Sequence, residues 1–124
     1  MDRLIIEATK KTPSVDLDNS TGILNISGMS CSENAMGFFT PIFEWLSHYV
    51  ANPQEETVMN FNLKYYNTSS AKCILDILDK LLVLNEEGKI LNVNWYYDES
   101  DDEMLESGEN YSTILDFPFN LLPV

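Results

Sequence analysis

The chain has one histidine, two cysteines and five glycines among 124 residues, and each scarcity closes off a kind of chemistry. His48 lies between Leu46 and Tyr49 on an amphipathic stretch, and the sequence sets no catalytic partner beside it. Cys31 and Cys73 stand in no metal or redox spacing. A zinc site built on His and Cys is therefore not expected, and a reduced, cytoplasmic protein is. The scattered glycines form no phosphate-binding loop. No apolar run approaches the ~20 residues that span a bilayer. The opening Met1-Asp-Arg-Leu-Ile-Ile-Glu7 lacks a basic region followed by a long apolar one, so no signal peptide is expected. Basic residues are also few: 7 against 20 acidic ones, for a net charge of −13. Nucleic acid and anionic membrane surfaces are then poor partners, because phosphate contacts need a basic footprint.

What is present is a hydrophobic content of 44%, enough for the core of one domain spanning residues 1–124. The acidic charge is uneven. No Lys or Arg follows Lys89, while Asp98 to Glu109 holds seven carboxylates. Such a run is either a solvated face or a means of steering a basic partner. Its twelve residues have the length of a calcium loop, but Glu103 stands at the sixth position, where the turn requires Gly. No metal and no cofactor is expected.

The order of elements points to an α/β fold. Leu4-Ile-Ile-Glu-Ala8 reads as a first strand. Ser14-Val-Asp-Leu-Asp18 and Ile23-Leu-Asn-Ile-Ser27 flank Asn19-Ser-Thr-Gly22, a good hairpin turn. A helix follows from about Glu33 to Val50, with Pro41 either kinking it or marking a first turn near Thr40. Ile90 to Tyr97 reads as a strand, and Asp101 to Glu109 as a short acidic helix ended near Gly108. The apolar tail should pack as an irregular or edge segment, since Pro118 excludes a central strand. The two strand–helix–strand units should be right-handed, giving one mixed sheet with residues 58–66 and 90–97 as parallel neighbours.

The stretch from Thr57 to Lys72 carries the most information. Met59, Phe61, Leu63 and Tyr65 alternate with Asn60, Asn62, Lys64 and Tyr66, the period of a strand. After Ala71 the period changes: Ile74, Ile77, Leu78, Leu81 and Leu82 form a helical stripe over about 70–87, with Gly88 as its terminal cap. At the switch sits Asn67-Thr-Ser-Ser70. Either Asn67 or Thr68 caps the helix, or the hydroxyls accept a phosphate, which a helix N-terminus stabilises.

Four segments together resemble the SiaC family of bacterial regulatory phosphoproteins. They are Ile6-Glu-Ala-Thr-Lys-Lys-Thr-Pro13; Ile26-Ser-Gly-x-Ser30 with Glu33-Asn34-Ala35; Phe61-x-Leu-x-Tyr-x-Asn-Thr-Ser-Ser70; and Val93-Asn-Trp-Tyr-Tyr-Asp98 leading to Met104-x-Glu-x-Gly-Glu109. The resemblance implies a STAS-like domain, an N-terminal hairpin and helices on a single mixed sheet. It also implies a non-catalytic partner switch with a dedicated protein kinase and a PP2C-type phosphatase. The unphosphorylated form would bind and activate a diguanylate cyclase, linking it to cyclic di-GMP and biofilm formation. The phosphosite maps onto Thr68, with Ser69 and Ser70 as fallback acceptors. The partner surface would include Tyr66, Asn67, Thr68, Ser69 and Lys72, together with Asp101 and Asp102. Met29 and Cys31-Ser32 depart from the family pattern. Two other readings stay open: the same switch acting on an anti-sigma factor or another signalling enzyme, and a small enzyme using the carboxylates near Asp98.

Overall fold

The structure is a computed structural model and describes residues 2–124. Nine elements follow in order: β1 (Leu4–Ile6), β2 (Ser14–Asp18), β3 (Ile23–Ser30), α1 (Ala35–Ala51), β4 (Glu56–Tyr66), α2 (Thr68–Glu86), β5 (Ile90–Tyr97), α3 (Asp102–Leu115) and β6 (Asn120–Pro123). The six strands form one sheet in sequence order. β1, β2 and β3 pair antiparallel, and β3, β4, β5 and β6 pair parallel. Residues 58–66 and 90–97 are thus parallel neighbours, as the change of period requires. The tail supplies a third crossover: β6 is a parallel edge strand beyond Pro118. Three right-handed crossovers advancing in one direction put every helix on one face.

That face is the core. Alternate residues of the strands point into it, among them Leu17, Leu24, Ile26, Phe61, Val93 and Trp95. Helix α1 adds Phe39, Ile42, Leu46 and Tyr49, and α2 adds Ile74, Ile77, Leu81 and Leu84. The other face is open and amide-rich. Asn60 donates to Asn25 at 2.8 Å, Asn94 to Asn60 at 2.8 Å and Asn120 to Asn94 at 2.9 Å, a chain of carboxamides across β3 to β6. Parallel strands are usually covered on both faces and apolar on both. Here the uncovered side meets its own hydrogen-bonding needs across the strands.

Three local readings change. Helix α1 begins at Ala35 and continues past Pro41, which therefore opens no helix at Thr40. Asn34 caps it, accepting from Gly37 N at 3.1 Å. Helix α3 does not end at Gly108 but continues to Leu115, with Asp116 in the left-handed region at φ 50°. Gly108 lies inside the helix, where a Cβ would come within 2.5 Å of Trp95 and 2.8 Å of Leu121. The glycine marks a close approach of helix to sheet rather than a stop. Lastly, the alternation of β4 breaks near its end. Gly28 pairs with Leu63 but Met29 with Tyr65, so Lys64 is the extra residue of a bulge. Gly28 takes φ 110° beside it. The slip turns Tyr65 outward, 50% exposed, and turns Tyr66 inward.

Candidate functional site

The end of β4, the start of α2 and the residues after β3 meet at one corner of the helical layer. Asn67 is the cap of α2: its side chain accepts from Ser70 N at 2.9 Å. The same side chain donates to Ser32 O at 3.1 Å, and its backbone N–H donates to Ser30 O at 2.9 Å. One asparagine thus ends a strand, starts a helix and fastens the segment that leads to α1. Because Asn67 caps, Thr68 does not have to. The Thr68 side chain is exposed at the first helical position.

The three hydroxyls of the motif are not equivalent. Thr68 and Ser69 are exposed, whereas Ser70 is fully buried. Ser30 Oγ donates to Ser70 Oγ at 2.7 Å, and Ser70 Oγ donates to Ser30 O at 3.0 Å. A phosphate on Ser70 would require this closed pair to open. Ser70 is a fastener in this state, and only Ser69 remains beside Thr68 as an accessible hydroxyl.

Thr68 and Ser69 line a cleft of about 410 Å³ with Lys72 on one wall and Glu33, Asn34 and Met36 on the other. Helices α1 and α2 both point their N-termini into it. Neither has an acidic residue in its first turn. Partial positive charge from two helix ends therefore faces the cleft, with Lys72 beside it. Glu33 stands opposite. Among the described residues Lys72 makes no ion pair.

The other expected partner residues are distributed differently. Tyr66 is half-buried, its ring edge-on to Trp95 at 6.3 Å and tilted against Tyr111 at 6.4 Å. It packs against β5 and α3 more than it presents a surface. Burial and the neighbouring Tyr66 push the Tyr111 phenol well above its ordinary range, so it stays protonated and donates to Ala71 O at 2.9 Å. Asp101 and Asp102 do not join the Thr68 cleft. Asp101 caps α3, accepting from Met104 N at 3.0 Å, and lines a separate pocket with Lys64 and Asp98. Asp98 is held below its usual range by hydrogen bonds from Ser100 Oγ and Ser100 N. Glu33, Asn34 and Met36 come from a segment whose place at the cleft no local pattern announced. The signal was there only as a motif, Glu33-Asn34-Ala35, without an address. Among the described residues no group of three His, Cys, Asp or Glu is placed to hold a metal. Among the described residues no helix is long and apolar enough to cross a membrane.

The whole arrangement has solved counterparts. The chain superposes on the crystal structure of apo-SiaC from Pseudomonas aeruginosa with a TM-score of 0.89 at 31% identity, covering 98% of this chain and 99% of that one. It superposes equally on a chain from the crystal structure of the diguanylate cyclase SiaD in complex with its activator SiaC, also from P. aeruginosa. There the TM-score is 0.91 at 30% identity, over 98% of this chain and 99% of that chain. An uncharacterized protein of P. aeruginosa strain UCBPP-PA14 is 32% identical over 119 residues, 96% of this chain and 94% of that protein. The profile of the SiaC family regulatory phosphoproteins matches residues 6–124. The cleft, the hydroxyl motif and the single-faced sheet thus sit in a chain that belongs to the SiaC family of regulatory phosphoproteins.

Proposed function

We propose that this protein is a non-catalytic partner switch in the cytoplasm. A cognate protein kinase phosphorylates Thr68, and a PP2C-type phosphatase removes the phosphate. The unphosphorylated form binds and activates a diguanylate cyclase, which ties the protein to cyclic di-GMP signalling and biofilm formation. The family supports the regulatory role, and the relative SiaC, the activator in its complex with SiaD, supports the class of output enzyme. The observation that carries the reading is the state of Thr68: exposed, freed from capping by Asn67, and set in a cleft with no acidic residue in either helix's first turn.

The physics of the switch is local. A phosphothreonine adds about −1.5 to −2 charge at pH 7. The start of α2 tolerates that charge, so the domain stays folded. Lys72 is a single cation and cannot cancel a dianion, and Glu33 across the cleft adds repulsion. A partner seated on this corner would have to desolvate the phosphate or leave. The test uses protein stoichiometrically phosphorylated by its kinase, with the phosphate mapped by mass spectrometry and binding to the purified diguanylate cyclase measured in both forms. Phosphate at another residue, or equal affinity of the two forms, would overturn the proposal.

A further inference from the structure

We propose that the open face of the sheet pairs with the same face of a second copy of this chain, as a weak sheet-to-sheet dimer. The inference goes beyond the switch and does not depend on it.

The face is bare where a cover is the rule. Parallel strands are usually covered on both sides. Here β3 to β6 are parallel, and all three helices lie on the other side. Large aliphatic side chains stay in water on the bare side: Ile23 is 43% exposed and Ile90 55%. Ile23 sits beside its cross-strand neighbour Val58, and Tyr96 beside Leu122 toward the opposite end of the strands. Between these two apolar pairs runs the carboxamide row of Asn25, Asn60, Asn94 and Asn120.

Charge selects what covers it. The chain carries −13, so two copies repel wherever carboxylates meet carboxylates. Strands β3, β5 and β6 contain no Asp, Glu, Lys or Arg, and β4 has only Glu56 and Lys64, near its two ends. On β2, Asp16 and Asp18 face Arg3 at 2.8 and 3.9 Å. Arg3 and Lys64 against Asp16, Asp18 and Glu56 leave −1, so the other −12 lies elsewhere on the molecule. A basic partner is drawn to those other surfaces. A second copy can approach this one with almost no repulsion.

The side chains suit their own image. A twofold dimer sets a patch against itself. A row of carboxylates or of cations would meet its like and be pushed apart. A carboxamide both donates and accepts, with two N–H groups and two lone pairs on its oxygen. The cross-strand bonds of Asn60 and Asn94 use one N–H and one lone pair of each. Each amide keeps one of both for the second copy. Asn60 is on β4, central among β2 to β6, and so falls near the twofold axis.

Area sets the strength. Five strands ~4.8 Å apart and ~20 Å long cover roughly 500 Å². Two copies then bury roughly 1,000 Å², the lower edge of specific interfaces. Each copy keeps its helices, and with them the Thr68 cleft, on the outer side of the pair.

Sedimentation equilibrium of the full-length unphosphorylated protein, up to about 300 µM, tests the pairing. The average mass should rise from 14.2 kDa toward twice that value, with a midpoint of roughly 10–100 µM. Asn60→Asp sets two carboxylates near the axis and should weaken pairing at least about 10-fold. Ile114→Glu adds the same charge to exposed α3 on the helical side, where salt screens it from the face, and should change pairing less than about 2-fold. Both variants should keep the wild-type circular dichroism. Ile23→Glu, exposed and outside the carboxamide row, repeats the test should Asn60→Asp lose its fold. Mixing Asn60→Asp with Asn60→Lys should restore pairing, because opposite charges then meet. A wild type that keeps the monomer mass throughout overturns the dimer. Equal weakening by Asn60→Asp and Ile114→Glu, or a mixture that stays monomeric, overturns the face. In each case the switch at Thr68 stands or falls on its own test.

Discussion

Helices α2 and α3 each leave the C-terminal end of a parallel strand, and each starts from a side-chain cap, yet the two starts are built to opposite plans. The start of α3 is electrostatically filled: Asp101 caps it, and Asp102 and Glu103 stand in its first turn. The start of α2 has a neutral cap, Asn67, and no acid in its first turn. The dipole of α3 is answered by its own sequence, while that of α2 is left for something else to answer. The anchors differ as well. Buried polar bonds fasten α2 to the end of β3, through Ser30, Ser70 and Asn67. Apolar contact fastens α3, with Gly108 against Trp95 and Leu121, aided by Trp95 Nε1 donating to Met104 O at 2.9 Å. On the proposed switch, the helix start that receives and loses a charge is held by groups that do not titrate.

The sharpest separation of the two starts comes from the phosphate itself. Phosphorylation of Thr68 should weaken binding of the diguanylate cyclase by one to two decades, about 1.4–2.8 kcal/mol, while the thermal midpoint of the isolated domain stays nearly constant. Calorimetric titration and a thermal melt of both forms check this. A large fall in the midpoint would mean that the phosphate melts the α2 start, contrary to the comparison.

The apolar anchor of α3 is tested by Gly108→Val. The added atoms would overlap Trp95, and overpacking of this kind costs about 1–3 kcal/mol. Urea denaturation should report that loss. A neutral outcome would mean that α3 stands off the sheet in solution.

The polar anchor of α2 is tested by two neighbouring alanines. Ser70→Ala strands the Ser30 hydroxyl in the core and should cost about 1–3 kcal/mol. Thr68→Ala should change stability by less than about 0.5 kcal/mol, as surface substitutions do, and should bind the partner constitutively. Equal losses from the two would show that Thr68 helps to cap and that the division of labour at this start is wrong.

A smaller effect is expected from the filled start of α3. Asp101→Asn, Asp102→Asn and Glu103→Gln together keep a cap and remove three charges. If the acidic run steers a basic partner, wild-type association slows with salt, because surface charges are screened beyond ~10 Å at 0.1 M. The triple variant should then lose part of that salt dependence. On-rates matching wild type at low salt would make the run a solvated face.

The smallest effect concerns acid. Hydrogen bonds from Ser100 hold the Asp98 carboxyl below its ordinary 3.8, with Lys64 nearby adding to the shift. A carboxyl lowered in the folded state stabilises it above its unfolded value, and this is lost as pH falls through the folded value. Protection against amide exchange across the turn before α3 should therefore fall below about pH 4 before protection at the α2 cap does. Simultaneous loosening of both would remove the contrast between titrating and neutral anchors.

Much of the fold was legible in the chain. The period of two in Met59, Phe61 and Leu63, followed by the helical stripe from Ile74, located β4 and α2, and the crossover rule then made β5 its parallel neighbour. Thr68 stood at that switch of period, and the family motif gave it a role. Local reading failed where a residue's meaning came from a distant neighbour. Gly108 looks like a stop until Trp95 is set against it. Tyr66 alternates outward until the bulge at Lys64 turns it in. Ser70 looks like Thr68's equal until Ser30, forty residues away in the chain, closes over it.

The sequence by itself determined the periods, a cap at Asn67 or Thr68, the excess of carboxylates beyond Lys89 and the hydroxyls at the head of α2. These are local properties, set by side-chain type and by spacings of a few residues. Only the tertiary structure decided which hydroxyl is free and what surrounds it. Glu33, Asn34 and Met36 reach the Thr68 cleft because β3 and β4 lie side by side in parallel, which brings the helix starts that follow them to the same edge of the sheet. Accessibility, charge environment and neighbourhood are properties of that juxtaposition, and no window of sequence contains both of its halves.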